Sequence, residues 1–407
     1  MTALVTCGDT RAGLAAVRSL GRAGIAVAVG APRRPALAMW SRYTTSTFVL
    51  PDADQTPRLF AEQVAQHARG RGARLITWAT DAASWALSRH REGLPDEMRA
   101  LLPPHDAVVR SVERAALKEF ATTLGIPCAE ILRIDSRTAV EPALRRVAEI
   151  GAPCVVRPMI PWTARLEGGR APEILKTTRV ADLRRLLYAR EDLVEGGCII
   201  EPHPRGVTIG YGVVCQEGEP VVEVFQERVR ERETLSGVST AARTIDVDDE
   251  VRARGKKLLS SLSWRGPAMV EFVRRSDTDA LELVGLTGRL WASVQLAIES
   301  GVDVPVLLYR MAEGERVVAG QVARPGVGFR WLVGDALGTI GRVVGAGDPR
   351  DRGWPIVRRA RALAEMAKSA GHDVTHDVLD ASDPMPFFFE LQELANQVRR
   401  APGTREA

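Results

Sequence analysis

Three arginines alternate along the segment ERVRERETLSGVST, at Arg228, Arg230 and Arg232. Side chains two residues apart on a strand point to the same face, so we expect Arg228 and Arg230 to face one shared anion, which Arg232 joins. Guanidinium groups form strong paired hydrogen bonds with phosphate and carboxylate oxygens. The segment therefore predicts an anion-binding strand followed by a glycine-containing loop. An exposed strand of salt bridges is the alternative interpretation.

The turn CGDTRAG, which follows the first apolar segment, is a second place where phosphate chemistry could occur. Its glycine spacing fits neither the G-x-G-x-x-G pattern of dinucleotide sites nor the G-x-x-x-x-G-K-S/T pattern of phosphate loops. We therefore interpret it as a strand-to-helix turn, in which Gly8 and Gly13 provide backbone freedom.

Composition excludes several classes of protein. A chain of 407 residues with 45% hydrophobic and 26% charged residues predicts two to three folded domains and excludes extended disorder. A net charge of +4 is too small for a nucleic-acid footprint. Five scattered cysteines without a CxxC pattern fit reduced thiols, and no apolar run approaches the roughly 18 residues of a membrane span. We expect a cytoplasmic protein without a signal peptide, nucleic-acid partner or membrane partner.

Two patterns of secondary structure follow each other along the chain. The first hundred residues alternate apolar strands, such as 25–30 and 74–77, with helical segments, such as 58–69 and 81–92. This alternation predicts a doubly wound parallel sheet. From about Ser111 onward, helices mix with antiparallel strands, including a hairpin with strands at 268–274 and 280–286. We expect layers of the α+β type in this second part.

The sequence resembles the ATP-grasp carboxylate–amine ligases, in particular the branch known as predicted ATP-grasp carboligases. The resemblance covers nearly the whole chain, and its segments follow the order of the family. The segments that carry it are VTCGDTRAGLAAVRSLGRAG, ERAALKEFATTLGIP, GAPCVVRP, CIIEPHPRG, ERVRERETLSGVST, GPAMVEF, GRLWASVQLAIESGVDVPVLLYRMA, FRWLVGDALG and HDVLDASDPMP.

This resemblance implies a domain layout. Residues 1–107 would form an N-terminal α/β pre-ATP-grasp domain. Residues 108–310 would form a two-lobed ATP-grasp domain of two α+β subdomains, with a hinge near 198–206. Residues 311–399 would be a C-terminal extension packed on the ATP-grasp domain, and residues 400–407 a disordered tail.

The resemblance also implies a chemistry: ATP activates a carboxylate as an acyl phosphate, which an amine then displaces, with Mg²⁺ at the phosphates. Arg114 and Arg157 stand where the family usually has lysines that bind phosphate, and both keep the positive charge. A planar guanidinium cannot reproduce the phosphate geometry of a compact ammonium. Surface arginines in an arginine-rich chain are the alternative interpretation of both.

The segment CIIEPHPRG resembles the hinge that binds adenine, which implies backbone contacts from Glu201 and His203. Proline has no backbone N–H, so His203 carries the one donor within the tripeptide 202–204. A strand that simply ends at two prolines is the alternative. We do not expect His203 to act as a catalytic base, because no nucleophile or orienting acid is near it in the sequence.

The metal site is where the sequence departs from the family. The family binds Mg²⁺ with a Glu on the first hairpin strand and an E-x-N pair on the second, followed by an Arg. Glu271 keeps the first position and Arg289 the last, but Gly285 and Thr287 replace the pair. Glu282 lies three residues before Gly285, so it should face the opposite side of the strand unless a bulge at Gly285 reverses it.

Three interpretations of the whole chain remain open. In the first it is a working ligase, in which Arg289, Arg228 and Arg230 are catalytic and the metal is held by Glu271, phosphate oxygens, water and either Glu282 or Thr287. In the second it is a non-catalytic binding or scaffold protein, and in the third a nucleotide sensor or regulatory subunit with weak metal dependence. The resemblance implies small-molecule carboxylate and amine substrates, such as amino acids or peptides. Trp291 and Trp331 either line a substrate pocket or pack in the core.

Overall fold

Three β-sheets with flanking helices make up the described part of the chain. The computed structural model describes residues 2–150, 154–159, 175–177, 179–202, 206–231, 239–344, 357 and 374–400. The sheets have four, four and eight strands, and the first is parallel while the largest is mixed. The predicted fold class, a parallel α/β unit followed by α+β layers, is confirmed.

The first sheet has four parallel strands in the order β3-β2-β1-β4. Its strands alternate with helices in the sequence, as the hydrophobic pattern predicts. The strands are β1 (Thr2–Val5), β2 (Ala26–Ala31), β3 (Thr44–Val49) and β4 (Ala73–Thr77). The helices are α1 (Arg11–Arg22), the 3-10 helix Leu37–Trp40, α2 (Pro57–Arg71), α3 (Asp81–Arg89), the 3-10 helix Arg91–Gly93 and α4 (Asp96–Arg99).

The turn between β1 and α1 joins a strand to a helix, as expected. Thr10 caps α1 by accepting a hydrogen bond from the backbone N–H of Gly13 at 2.9 Å. A Cβ on Gly13 would lie 2.1 Å from the carbonyl oxygen of Cys7, so only glycine fits this close approach.

A second, smaller sheet follows two consecutive helices. The helices α5 (His105–Val112) and α6 (Arg114–Thr123) meet at Glu113, where the sequence pattern predicts one continuous helix from Ser111. The sheet has the order β5-β8-β6-β7, and its described strand pairs are antiparallel. Its elements are β5 (Leu132–Ile134), α7 (Arg137–Ile150), β6 (Cys154–Pro158), β7 (Leu175–Thr177), α8 (Val180–Ala189), α9 (Glu191–Glu195) and β8 (Cys198–Pro202).

The large sheet has the strand order β13-β12-β9-β10-β11-β15-β16, and β14 pairs with β10. Its strands are β9 (Gly206–Gln216), β10 (Glu219–Glu231), β11 (Ser239–Thr244), β12 (Gly266–Arg275), β13 (Leu281–Thr287), β14 (Gln321–Val322), β15 (Gly328–Arg330) and β16 (Val374–His376). The helices are α10 (Asp249–Ser261), α11 (Val294–Glu299), α12 (Val304–Ala312), α13 (Leu332–Val344) and α14 (Met385–Arg400).

The hairpin of β12 and β13 contains a β-bulge. Glu271 pairs with Gly285, but Phe272 pairs with Leu283, so Val284 is an extra residue in β13. The bulge places Glu282 on the same face as Gly285, because Glu282 pairs with Val273, two residues from Glu271. The face expected from simple alternation is therefore wrong for Glu282, and the bulge alternative is confirmed.

The C-terminal segment is held against the first sheet's helices by a buried arginine. Arg18, which is 1% exposed, donates from Nε to Asp383 Oδ2 at 2.9 Å and from its two Nη groups to the carbonyl oxygens of Asp377, Val378 and Asp383. The ring of Trp40 stacks on that of Phe389 in α14, with 5.8 Å between the centroids. Residues expected to pack on the ATP-grasp domain thus also pack on the N-terminal unit.

The boundaries at 107 and 310 stay predictions, as does a cytoplasmic location. Arg400 is the last residue of α14 and so does not belong to the predicted tail, and the other residues of that tail, 401–407, lie outside the described part. All five cysteines are free thiols. None of the described helices is long and apolar enough to cross a membrane.

Removing the buried guanidinium should release the C-terminal segment. Arg18→Met leaves Asp383 buried without its counter-charge, which costs about 3–5 kcal/mol when a buried pair is broken. We expect amide hydrogens of residues 374–400 to lose at least about a hundredfold of their protection from exchange. Arg22→Met is the control, because Arg22 is 36% exposed beside Asp380 and such pairs contribute at most about 1 kcal/mol. Equal protection in both variants would contradict this role.

Candidate active site

Glu201 is the centre of a cluster of three cations. Its carboxylate accepts a hydrogen bond from Arg157 Nε at 2.6 Å through Oε2. Its other oxygen, Oε1, lies 3.4 Å from both Arg114 Nη1 and Lys118 Nζ. Lys118 is 8% exposed and Glu201 11%, whereas the Arg114 and Arg157 side chains are 30% and 23% exposed. Two guanidinium groups therefore reach solvent from a buried anchor.

Local structure explains why these four residues meet. In the antiparallel pair β6 and β8, Arg157 is opposite Ile199 and Val155 is opposite Glu201, so Arg157 and Glu201 share one face of the sheet. Arg114 and Lys118 are four residues apart on α6 and therefore share one face of that helix. The cluster forms where this helix face meets the second sheet.

Charge rather than burial determines the protonation of Glu201. Burial by itself would raise the pKa of its carboxyl, but the charges of Arg114, Lys118 and Arg157 outweigh that effect and hold the pKa at about 2. Burial lowers the pKa of the Lys118 ammonium, and the attraction of Glu201 opposes part of that change. Burial, and then repulsion from Arg114, lower the pKa of Arg157.

The arginines of β10 bind two different carboxylates. Arg228 Nη2 hydrogen-bonds Glu271 Oε1. Arg230 forms a bidentate pair with the buried Asp335, with Nε to Oδ1 at 2.8 Å and Nη2 to Oδ2 at 2.9 Å. The pairing of β10 with β11 shifts in register between Arg228 and Arg230. The two guanidinium groups therefore have different carboxylate partners, Glu271 and Asp335, and a ligand anion shared by both stays a prediction.

Arg289 connects the large sheet to the first one. Its Nε donates to Asp81 Oδ1 at 2.7 Å, and Asp81 is the first residue of α3. The preceding turn is docked on the first unit, because Trp78 Nε1 and Ser84 Oγ both donate to the carbonyl oxygen of Gly288, at 2.9 and 2.8 Å. Burial acts to lower the pKa of Arg289, but Asp81 outweighs it and the pKa is raised.

The predicted magnesium ligands do not form a metal site. Glu271 is bound by Arg228, and Glu282 lies 3.8 Å from Arg275 Nη1 with its pKa raised by burial. Gly285 offers no ligand. Magnesium requires several oxygen ligands, of which one or two are usually carboxylates. Among the described residues, no group of three His, Cys, Asp or Glu side chains could hold a metal ion. These residues do not fit Mg²⁺.

The structure brings part of the predicted site together. Arg114, Arg157 and Glu201 are in direct contact, and the charge of Glu271 influences the pKa values of Arg157 and Arg289. His203 and Arg232 lie outside the described residues.

The two tryptophans have different environments. Trp291 is 2% exposed and belongs to the core, so the pocket interpretation is wrong for it. Trp331 stacks under the Arg11 guanidinium at 4.1 Å and donates from Nε1 to Glu390 Oε1 at 2.7 Å.

Sequence reasoning missed three partners in this region. Lys118 has a readable signal, because it follows Arg114 by four residues in a predicted helix. Asp81 and Asp335 lie far in sequence from the arginines that they bind, 208 and 105 positions away. No local pattern indicates either of them.

Comparison with solved structures identifies the fold. The chain is similar to N5-carboxyaminoimidazole synthetase from Staphylococcus aureus, with a TM-score of 0.59, 15% identity and 80% of each chain covered. It is similar to biotin carboxylase from Campylobacter jejuni in a β-γ-ATP complex (TM-score 0.58, 15% identity, 80% of this chain and 74% of that one). It is also similar to phosphoribosylglycinamide synthetase from Anaerococcus prevotii (TM-score 0.52, 15% identity, 77% of this chain and 75% of that one).

These solved structures are ATP-grasp proteins, so the chain has the ATP-grasp fold that the sequence resemblance implies. A scan against models of protein families gives no match, and a search of curated proteins finds no significant relative. Identity near 15% shows the fold alone.

The low pKa of Glu201 makes its contribution to stability depend on pH. Because the pKa is about 2 in the folded protein and ordinarily 4.5, the ionised carboxylate stabilises the fold fully above about pH 4.5. That stabilisation is lost as the pH falls from 4.5 toward 2. We expect Glu201→Gln to lower the free energy of unfolding by about 3 kcal/mol at pH 7 and by clearly less at pH 3. Urea titrations of both proteins measure this, and a difference that does not change with pH would contradict the ion pairing.

Proposed function

We propose that this protein is an ATP-dependent ligase that joins a carboxylate to an amine through an acyl phosphate. The observation that carries the proposal is the cluster of Arg114, Lys118 and Arg157 around Glu201, on an ATP-grasp fold. Transfer of a phosphoryl group depends mainly on positioning and on neutralising the charge of the phosphate oxygens. A fixed group of cations at a partly open site supplies that neutralisation.

The reaction would proceed in two balanced steps. A carboxylate oxygen attacks the γ-phosphorus of ATP, the bond to the β-phosphate oxygen breaks, and an acyl phosphate and ADP form. The amine nitrogen then attacks the acyl carbon, the bond to the phosphate oxygen breaks, and an amide, inorganic phosphate and a released proton result. In the first step Arg114 and Arg157 would bind the phosphate oxygens, because both reach solvent from their anchor on Glu201.

Arg289 would bind the acyl phosphate from the side of the first sheet. Its side chain is largely buried, and its orientation is fixed by Asp81. Arg228 would add positive charge from β10, held in place by Glu271. Arg230 donates two hydrogen bonds to the Asp335 carboxylate, which favours a positioning role for Arg230 over contact with the substrate. This differs from the catalytic role predicted from the sequence.

The substrates are proposed only by class. The site's cations suit a small carboxylic acid, and amino acids or peptides would supply both the acid and the amine. A cytoplasmic location, which we also propose, would give the protein access to such metabolites.

A second candidate is a non-catalytic nucleotide-binding protein. One observation favours it: Gly285 and Thr287 occupy the positions of the E-x-N pair, and the nearby carboxylates are bound by arginines. Such a protein would bind ATP without turnover. The two candidates share the nucleotide site and differ in the chemical step.

A substrate panel separates these candidates. We expect ADP and phosphate to be released from ATP only when an acid and an amine from a panel of amino acids are both present. Arg157→Met should reduce this release at least about a hundredfold, because it removes a cation from the phosphoryl group. Arg185→Met is the matched control, since Arg185 is 81% exposed on α8, and it should retain full activity.

Two outcomes would contradict parts of this account. Thermal stabilisation by ATP without any turnover across the panel would favour the binding protein. The absence of stabilisation by both ATP and ADP would contradict the nucleotide site itself.

Substituting Asp81 should lower kcat/KM for the carboxylate substrate and leave the KM for ATP nearly unchanged. Asp81→Asn weakens the contact that directs Arg289, so we expect kcat/KM for the carboxylate to fall about tenfold, in line with the cost of a misplaced group. The KM for ATP should stay within about twofold, because Asp81 does not contact the Glu201 cluster. Steady-state assays varying each substrate in turn measure the split. If the KM for ATP rose as much as kcat/KM for the carboxylate fell, the substitution would have a general structural effect instead.

A further inference from the structure

We propose that this chain neutralises the phosphates of its nucleotide with Arg114, Lys118 and Arg157 in place of a divalent metal, so that ATP and ADP bind without Mg²⁺. The inference rests on the nucleotide site of the proposed function. It departs from the family's use of magnesium because the residues at the metal position do not fit a metal.

The first step concerns position 285. A Cβ at Gly285 would lie 3.7 Å from Arg114 Nη1, 3.9 Å from Cζ and 4.0 Å from Nη2. Arg114 Nη1 also lies 3.3 Å from the carbonyl oxygen of Val284, the extra residue of the bulge. The guanidinium thus occupies the space above Gly285, where the family has a metal-binding carboxylate. A second cation placed there would be repelled by it.

The second step concerns the remaining carboxylates. Glu271 is bound by Arg228, and releasing it to a metal would leave that arginine without this partner. Glu282 is turned toward another cation, because its Oε2 lies 3.8 Å from Arg275 Nη1. Both acids on this face of the hairpin are therefore unsuited to hold Mg²⁺.

The third step is a charge count at the cluster. One carboxylate, that of Glu201, faces three cations, which leaves a surplus of two positive charges. This surplus equals the charge of one divalent ion. The cluster can therefore offset two of the negative charges of a polyphosphate, as one bound magnesium ion would.

The fourth step concerns hydrogen bonding. Arg157 uses Nε for Glu201, and Arg114 uses Nη1 for Glu201 and Val284. A guanidinium has five N–H donors in a fixed planar arrangement. Within the described residues, the Nη groups of Arg157 and the Nη2 of Arg114 donate no hydrogen bond, and both side chains are partly exposed. These donors can bind phosphate oxygens while Glu201 keeps the cations in place.

The test is isothermal titration of the full chain with ATP and with ADP, in excess EDTA and in excess Mg²⁺. We expect the Kd in EDTA to equal the Kd in Mg²⁺ or to lie below it, with the two values differing by no more than about threefold. A Kd that rises more than tenfold in EDTA would overturn the inference while leaving the nucleotide site intact. No binding in either buffer would overturn the nucleotide site, and with it both proposals.

A substitution at the bulge tests the geometry directly. Gly285→Glu places a carboxylate beside Arg114, so the affinity for ATP in EDTA should fall at least about tenfold, and Mg²⁺ should restore part of it. Gly285→Ala is the matched control: its methyl group makes only ordinary contacts at 3.7 Å, and it should bind like the wild type. Wild-type affinity of Gly285→Glu in EDTA would show that Arg114 is not at the phosphates and would overturn the inference.

Discussion

A buried carboxylate must be neutralised, and the candidate site is organised by the way Glu201 meets this requirement. Leaving a charge unpaired in the interior is costly, so the cations around Glu201 are fixed by the same interaction that makes its burial possible. Helix α6 contributes Arg114 and Lys118, and strand β6 contributes Arg157. Because two of these three cations remain partly exposed, the arrangement that stabilises the fold also presents positive charge to a ligand.

The sequence indicates some of this arrangement well. Regular periodicity predicts the alternating strands and helices of the first sheet and the β12–β13 hairpin, because burial on one face imposes a pattern that can be read locally. The family resemblance places Arg114, Arg157 and Glu201, which do meet. The hinge resemblance implies only backbone contacts for Glu201, so it does not predict that the Glu201 carboxylate binds these arginines.

Other features could not be predicted because they depend on pairs far apart in the sequence or on irregular strands. The contacts of Arg289 with Asp81 and of Arg230 with Asp335 are set by how sheets and helices pack, and no local pattern carries that information. Two irregularities change which way side chains face: the register shift after Arg228 and the bulge at Val284. One extra residue moves the side chains beyond it to the opposite face of the sheet. Simple alternation of side chains therefore gives the wrong face for residues beyond such an irregularity.

The most direct measurement of the central claim is a crystal structure of the full chain with a non-hydrolysable ATP analogue, grown without divalent metal. We expect phosphate oxygens within about 3 Å of the guanidinium nitrogens of Arg114 and Arg157, with Glu201 still bound to the same cations. Phosphates bound elsewhere, or phosphates ordered only after magnesium is added and then bridged by the metal to Glu271, would contradict it.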